Sequence, residues 1–303
     1  MDFPRSLRAL LTELIDYAGL FPPARLEMPA AVANYAAYRA GDLRWMLGRF
    51  IVPSAGLDAF EGAVAAYLPK SREADPWPVS LLGSDDPVHD AELIFGFNER
   101  HARTAVGRAV IDTLEVKATG VPELERAVRS APAGVAVYVE IPVRDDPADL
   151  IAAAAGLGAR VKVRTGGITP DAFPSLRDLA RFIRSAADQG VPFKATAGLH
   201  HPLRGTYALT YEPASETATM YGYLNVFLAA LFAQAGLQIG ELERILAETD
   251  VRTFRFDDHG VTCHAWHADL DDITRLRARG AVAFGSCSFT EPVDDLAHLM
   301  GAA

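Results

Sequence analysis

At 303 residues, half of them hydrophobic and 22% charged, the chain has ample apolar material for one large α/β domain or two smaller ones. A net charge of −10 argues against nucleic acid or an anionic membrane surface as the main partner. Two cysteines, Cys263 and Cys287, give no disulfide framework and fit a reducing, cytoplasmic setting.

The N-terminal run Met1-Asp2-Phe3-Pro4-Arg5 shows no basic region followed by an apolar run and a small-residue cleavage site. Residues 1–45 read as a helical extension, two helices joined by Gly19-Leu20-Phe21-Pro22-Pro23. The joining segment, with its two aromatics and rigid Pro-Pro, is expected either to cover the barrel mouth or to plug one end. From there β-rich runs alternate with helical patterns. Strands are predicted at 48–53, 79–83, 111–117, 135–142, 160–165, 192–197, 252–257 and 281–285. Helical spacing is clear at Phe173-Leu176-Leu179-Ile183-Ala186, closed by Gly190.

Eight strands with intervening helices predict a single (β/α)8 barrel domain over 1–303, with a doubly wound open sheet as the alternative. Residues 206–250 form a helical insertion before strand seven. Within it the apolar stretch Met220–Ala233 is too short for a membrane span, which needs about 18 such residues, and reads as a buried helix. Core or an oligomer interface would both bury it. Strand seven has a competing reading, in which Asp257-Asp258-His259-Gly260 turns a hairpin and 261–267 returns.

Alternation along the strands separates apolar from charged faces. Leu114 and Val116 oppose Glu115 and Lys117; Val161 and Val163 oppose Lys162 and Arg164; Phe193 and Ala195 oppose Lys194 and Thr196. Helices cover the outside of such a barrel, so the charged set should point inward. The expected interior holds Lys117, Lys162, Arg164, Lys194 and Arg255 against Glu115, Glu140 and Asp257, two positive charges in excess. Ion pairs filling the barrel centre are one account of this set. An active site at the carboxyl ends of the strands, shaped for a small anionic metabolite, is the other. A lysine amine attacks carbonyls only when neutral, and crowding among Lys162, Arg164 and Lys194 is expected to lower one pKa. Glu115 or Glu140 would move the protons.

The strands Lys162-Val-Arg-Thr-Gly166 and Lys194-Ala-Thr-Ala-Gly198 resemble the two lysine strands of class I aldolases of the deoxyribose-phosphate aldolase type. The resemblance implies a Schiff base on one lysine, tuned by the other, with no cofactor. Phe284-Gly285-Ser286-Cys287-Ser288 is similar to the turn after the last strand where that family binds phosphate, and a helix from Glu291 follows it. The likeness therefore implies a carbon–carbon lyase, with Arg164, Thr196, Gly285, Ser286 and Ser288 holding substrate. In sequence count the lysines fall on strands five and six, one earlier than in the family. The relay aspartate, the 206–250 insertion and His200-His201 have no counterpart. The chain as a whole also resembles bacterial barrel proteins, a likeness that implies no activity.

Histidines open a second chemistry. His201 is a candidate acid or base, and His200 and Arg204 are candidate anion ligands or solvated loop residues. The segment from Asp257 to His267 places six potential ligands in 11 residues. A divalent metal such as zinc would draw on Glu140, His200, His201, Asp257, His259 and His264, making a metal-dependent hydrolase or lyase. The segment lacks a fixed ligand spacing, strand 48–53 has no His-x-His, and a polar loop explains the same residues. Cys287 reads as a small turn residue or a nucleophile. No Gly-x-Gly-x-x-Gly or Walker sequence is present. A third reading is a barrel that binds an anionic metabolite without catalysis.

Overall fold

The computed structural model describes residues 3–301. Eight strands close a barrel: β1 (Ile15–Tyr17), β2 (Leu47–Pro53), β3 (Trp77–Leu82), β4 (Ala109–Lys117), β5 (Ala136–Glu140), β6 (Arg160–Arg164), β7 (Phe193–Thr196) and a last strand, Ala281–Ser286. Between β7 and that strand lie two smaller antiparallel sheets. One pairs β8 (Gly205–Ala208) with β9 (Thr217–Met220); the other orders β10 (Phe254–Phe256), β11 (Gly260–Cys263) and β12 (Trp266–Asp269). The last barrel strand is thus β13, pairing with both β7 and β1 in parallel.

The helices are α1 (Arg5–Leu11), α2 (Met28–Ala40), α3 (Leu57–Val64), α4 (Pro87–His101), α5 (Val121–Ser130), α6 (Ala148–Gly156) and α7 (Leu176–Asp188). They continue with α8 (Tyr223–Gln234), α9 (Ile239–Ala247), α10 (Leu270–Arg279) and α11 (Thr290–Gly301). The helix α7 shows how local sequence sets an element. The Ser175 hydroxyl accepts from the Asp178 N–H at 3.1 Å, and Leu179, Phe182, Ile183 and Ala186 form one buried face. Burying each of the three larger side chains stabilises by about 1.5–3 kcal/mol. Gly190 ends the segment with φ +63°.

The barrel is closed, so the open doubly wound sheet does not apply. Three expectations are corrected. The first barrel strand is Ile15–Tyr17, inside the segment read as a helical extension; three residues are too short to show alternation, and Asp16 interrupts the apolar run. Residues 252–257 are not a barrel strand. Asp257 accepts the N–H groups of His259 at 2.8 Å and Gly260 at 2.9 Å, which turns the chain and pairs β10 with β11. Arg255 is therefore exposed and Asp257 caps a turn, so neither lines the barrel. The insertion at 206–250 contains the β8–β9 hairpin as well as two helices.

Counting from β1 moves Lys162 and Lys194 onto strands six and seven. Helix α8 is buried from Tyr223 to Ala233, packed by α7, α9, α10 and β13 of the same chain. Its one polar core residue, Asn225, donates to the carbonyls of Ile245 and Glu248, both at 2.8 Å. Among the described residues no helix is long and apolar enough to cross a membrane.

Candidate active site

Register brings the charged residues of adjacent strands into one layer. Lys117 lies opposite Glu140, Glu140 opposite Lys162, Lys162 opposite Lys194, and Arg164 opposite Thr196. Their outward neighbours Val116, Val139, Val161, Val163 and Ala195 are buried under helices. The glycines four residues after each lysine keep the strand ends together. A methyl group on Gly198, which has φ +73°, would meet the Gly166 Cα at 2.9 Å, and one on Gly166 would meet the Phe173 ring at 2.4 Å. Ala197 shares the left-handed conformation at φ +61°, and the Thr165 hydroxyl donates to its carbonyl at 2.6 Å.

At the centre are two amines and three carboxylates. Lys162 Nζ lies 2.9 Å from Glu115 Oε2 and 2.9 Å from Glu140 Oε2. Lys194 Nζ lies 2.5 Å from Glu115 Oε1 and 2.5 Å from Asp16 Oδ2. The Lys194–Asp16 and Lys162–Glu140 contacts are at ion-pair distance but outside hydrogen-bond geometry at the carboxylate oxygen. Ser80 donates to Glu115 at 2.8 Å, the Arg49 N–H donates to Asp16 at 2.7 Å, and Arg164 Nε reaches Glu140 at 3.2 Å. Lys162, Lys194, Glu115 and Asp16 are all buried.

This arrangement overturns the expected lowering of a lysine pKa. Burial does push both amines down, but Glu115 and Glu140 beside Lys162, and Asp16 and Glu115 beside Lys194, outweigh it and raise both. Burial pushes Glu115 and Glu140 up, and the facing cations bring both below the ordinary carboxylate range. The resting site is an ion-paired network in which Lys162 is charged.

Above the network is a cavity of about 310 Å³ at the carboxyl ends of the strands. Lys162, Glu115 and Glu140 form its floor, whereas Lys194 is beneath and does not line it. Lys117 and Arg164 stand at its rim, and Phe21, Pro22 and Pro23 form one wall. The segment after β1 therefore borders the mouth of the barrel.

Of the expected substrate residues, Arg164, Thr196, His200 and Gly285 line this cavity. Ser286 is buried and its hydroxyl accepts the Ser288 N–H at 3.3 Å, while Ser288 faces a neighbouring cleft. Arg204 lies over the Tyr221 ring at 5.0 Å, away from the cavity. The adjacent histidines diverge. His201 pairs with Asp295 at 2.5 Å and stacks on Tyr207, turned from the site, whereas His200 lines the cavity.

His200 Nδ1 lies 3.2 Å from Glu291 and 3.9 Å from the Cys287 sulfur. Burial opposes its charge, but Cys287 and Glu291 together raise its pKa to about 9. The folded value is above the unfolded one near 6.5, so this pair stabilises fully below pH 6.5. That contribution, on the order of 2 kcal/mol, is lost as pH rises through about 9. Titration of the His200 ring by NMR should give a midpoint between pH 8 and 10; a midpoint at or below 6.5 contradicts the assigned pairing.

The residues of the metal reading do not converge. Glu140 is in the barrel, His200 and His201 face different partners, Asp257 and His259 are on the β10–β11 turn, and His264 is 3.2 Å from Glu248. Among the described residues no group of three or more His, Cys, Asp or Glu side chains is arranged to hold a metal ion. Sequence reading missed Asp16, Tyr211 and Glu291 as site residues. Asp16 was detectable as an acid between Ile15 and Tyr17; Tyr211 reaches Glu291 at 2.9 Å from the β8–β9 loop, which no local pattern announces. No protein-family model matches the chain, and neither does any curated protein or solved structure.

Proposed function

We propose that the protein is a carbon–carbon lyase that works through a Schiff base on Lys162, acting on a small anionic carbonyl substrate. The observation that carries this reading is the position of Lys162. Its amine is at the floor of a cavity at the barrel mouth, between two carboxylates, with a second lysine held behind one of them. Lys194 has no access to that cavity, so it serves as the positioning residue that holds Glu115 ionised.

The chemistry starts from the charged amine. As a carbonyl enters, Glu140 takes a proton from Lys162, and the neutral nitrogen forms a bond to the carbonyl carbon. A second proton passes from the nitrogen to the oxygen to give the carbinolamine hydroxyl, and the proton held by Glu140 then completes its departure as water, leaving an iminium. Glu140, ionised again, accepts the proton of a hydroxyl on the β-carbon. The α–β carbon bond breaks, its electron pair moves into the iminium as an enamine, and an aldehyde departs. Protonation of the enamine carbon and addition of one water return the second product and the free amine. Lys117 and Arg164, which line the cavity, would hold a carboxylate next to the carbonyl.

Enamine formation exchanges carbon-bound protons with solvent. In D2O the protein should therefore deplete the methyl proton signal of pyruvate, followed by NMR, and Lys162→Met should not. Loss of exchange in that variant, with its circular dichroism unchanged, supports the reading; exchange that persists without Lys162, or none in the unmodified protein, rejects it.

A further inference from the structure

Beside the charged cavity is a second cleft of about 270 Å³, and Cys287 lines both. Its walls carry Tyr17, Tyr38, Tyr211, Asn34, Ser288 and Glu291. The two spaces differ in charge. The first is lined by Lys117, Lys162 and Arg164, whereas the second has no lysine or arginine among its described lining residues. Its one acid is already engaged, because Glu291 accepts from Tyr211 at 2.9 Å and pairs with His200 at 3.2 Å. What remains is a set of neutral polar groups, three phenols, an amide and a hydroxyl, of which Tyr211 is left to accept because its own proton goes to Glu291. Asn34 Nδ2 and the Tyr17 hydroxyl are 3.4 Å apart, too long to satisfy either group strongly.

We propose that this tyrosine-walled cleft is the second half of the substrate site and binds an uncharged, hydroxylated chain, the fragment released as the aldehyde. The inference rests on the lyase reading for the fate of that fragment, but not for its binding. It makes the substrate class a 4-hydroxy-2-oxo acid with a hydroxylated tail. The carboxylate lies toward Lys117 and Arg164, the C2 carbonyl reaches Lys162, and the tail extends past Cys287. Cleavage breaks the C3–C4 bond: the C4 hydroxyl proton goes to Glu140, the bond pair goes to the iminium, and the tail leaves as a neutral aldehyde. Phosphate at the Gly285–Ser288 turn would find no lysine or arginine in the described lining of this cleft, and the nearby His200 is already paired with Glu291.

Erythritol separates this proposal from the lyase reading, because it binds without reacting. Saturation-transfer NMR on the whole protein should show erythritol bound, and Asn34→Ala and Tyr211→Phe should each weaken it about fivefold, the loss of one hydrogen bond. Tyr211 is 56% exposed, so its change to Phe leaves the core intact. Glycerol 3-phosphate should bind no more tightly than erythritol. An absent erythritol signal, a signal indifferent to both substitutions, or tighter binding of the phosphate through Asn34 overturns the inference. Pyruvate exchange with no erythritol binding would reject the cleft and leave the lyase; the converse would reject the lyase and leave the cleft.

Discussion

Replacing Lys194 by Met is expected to destabilise the barrel by about 3–5 kcal/mol, the cost of leaving a buried ion pair with one partner missing. Asp16 decides the size of this effect. It is fully buried, Lys194 is the cation at ion-pair distance, and the Arg49 N–H donates to it at 2.7 Å, with the Arg49 and Arg277 side chains acting from farther away. Glu115 suffers less, since Lys162 and Ser80 still hold it. Two comparisons isolate the cause. Adding Asp16→Asn to Lys194→Met should recover a large part of the loss, because it removes the stranded charge. Lys162→Met should cost less than Lys194→Met, because Glu115 keeps Lys194 and Glu140 keeps Arg164. Urea unfolding of the four proteins measures all of this. Equal losses from the two lysine variants, or no recovery from the double substitution, would show that the network is not ordered as described.

The second large effect is kinetic. Glu140→Gln is expected to slow pyruvate proton exchange about a hundredfold or more, the usual contribution of one positioned acid–base group. Glu140 Oε2 is buried and 2.9 Å from Lys162 Nζ, within reach of the proton that attack on a carbonyl requires it to take. Glu115 is less able to do so, because Lys162, Lys194 and Ser80 all engage it. The isosteric change keeps packing but removes the base, so stability should fall far less than the exchange rate. A variant that exchanges at the unmodified rate would transfer the proton role to Glu115.

The sequence was legible where physical constraints are local and repetitive. Seven barrel strands were legible as β-rich runs between helical patterns, and where apolar and charged residues alternate along them the interior placement of Glu115, Lys162 and Lys194 followed from that period. Strand β1 did not, because three residues carry no period, and the count of strands slipped by one as a result. Arg255 and Asp257 were misplaced for a related reason: β10 alternates like a barrel strand, while the turn that sends it elsewhere depends on Asp257 accepting two backbone N–H groups. The lysine pKa direction was misjudged because the sequence shows Glu115 and Glu140 facing inward but not their contact with the amines, and Asp16 was not read as part of the interior. Asp16 and Lys194 are 178 positions apart in the chain and 2.5 Å apart in the fold. The separation of His200 from His201 likewise depends on Asp295 and Glu291 of α11, nearly a hundred residues on.

The central claim concerns one nitrogen atom, and covalent trapping reads it directly. The protein is incubated with pyruvate, reduced with borohydride, digested and mapped by mass spectrometry. The account predicts a reduced adduct on Lys162, none on Lys194, and none anywhere in Lys162→Met. An adduct on Lys194, or an unmodified chain under conditions that reduce a free imine, would contradict it.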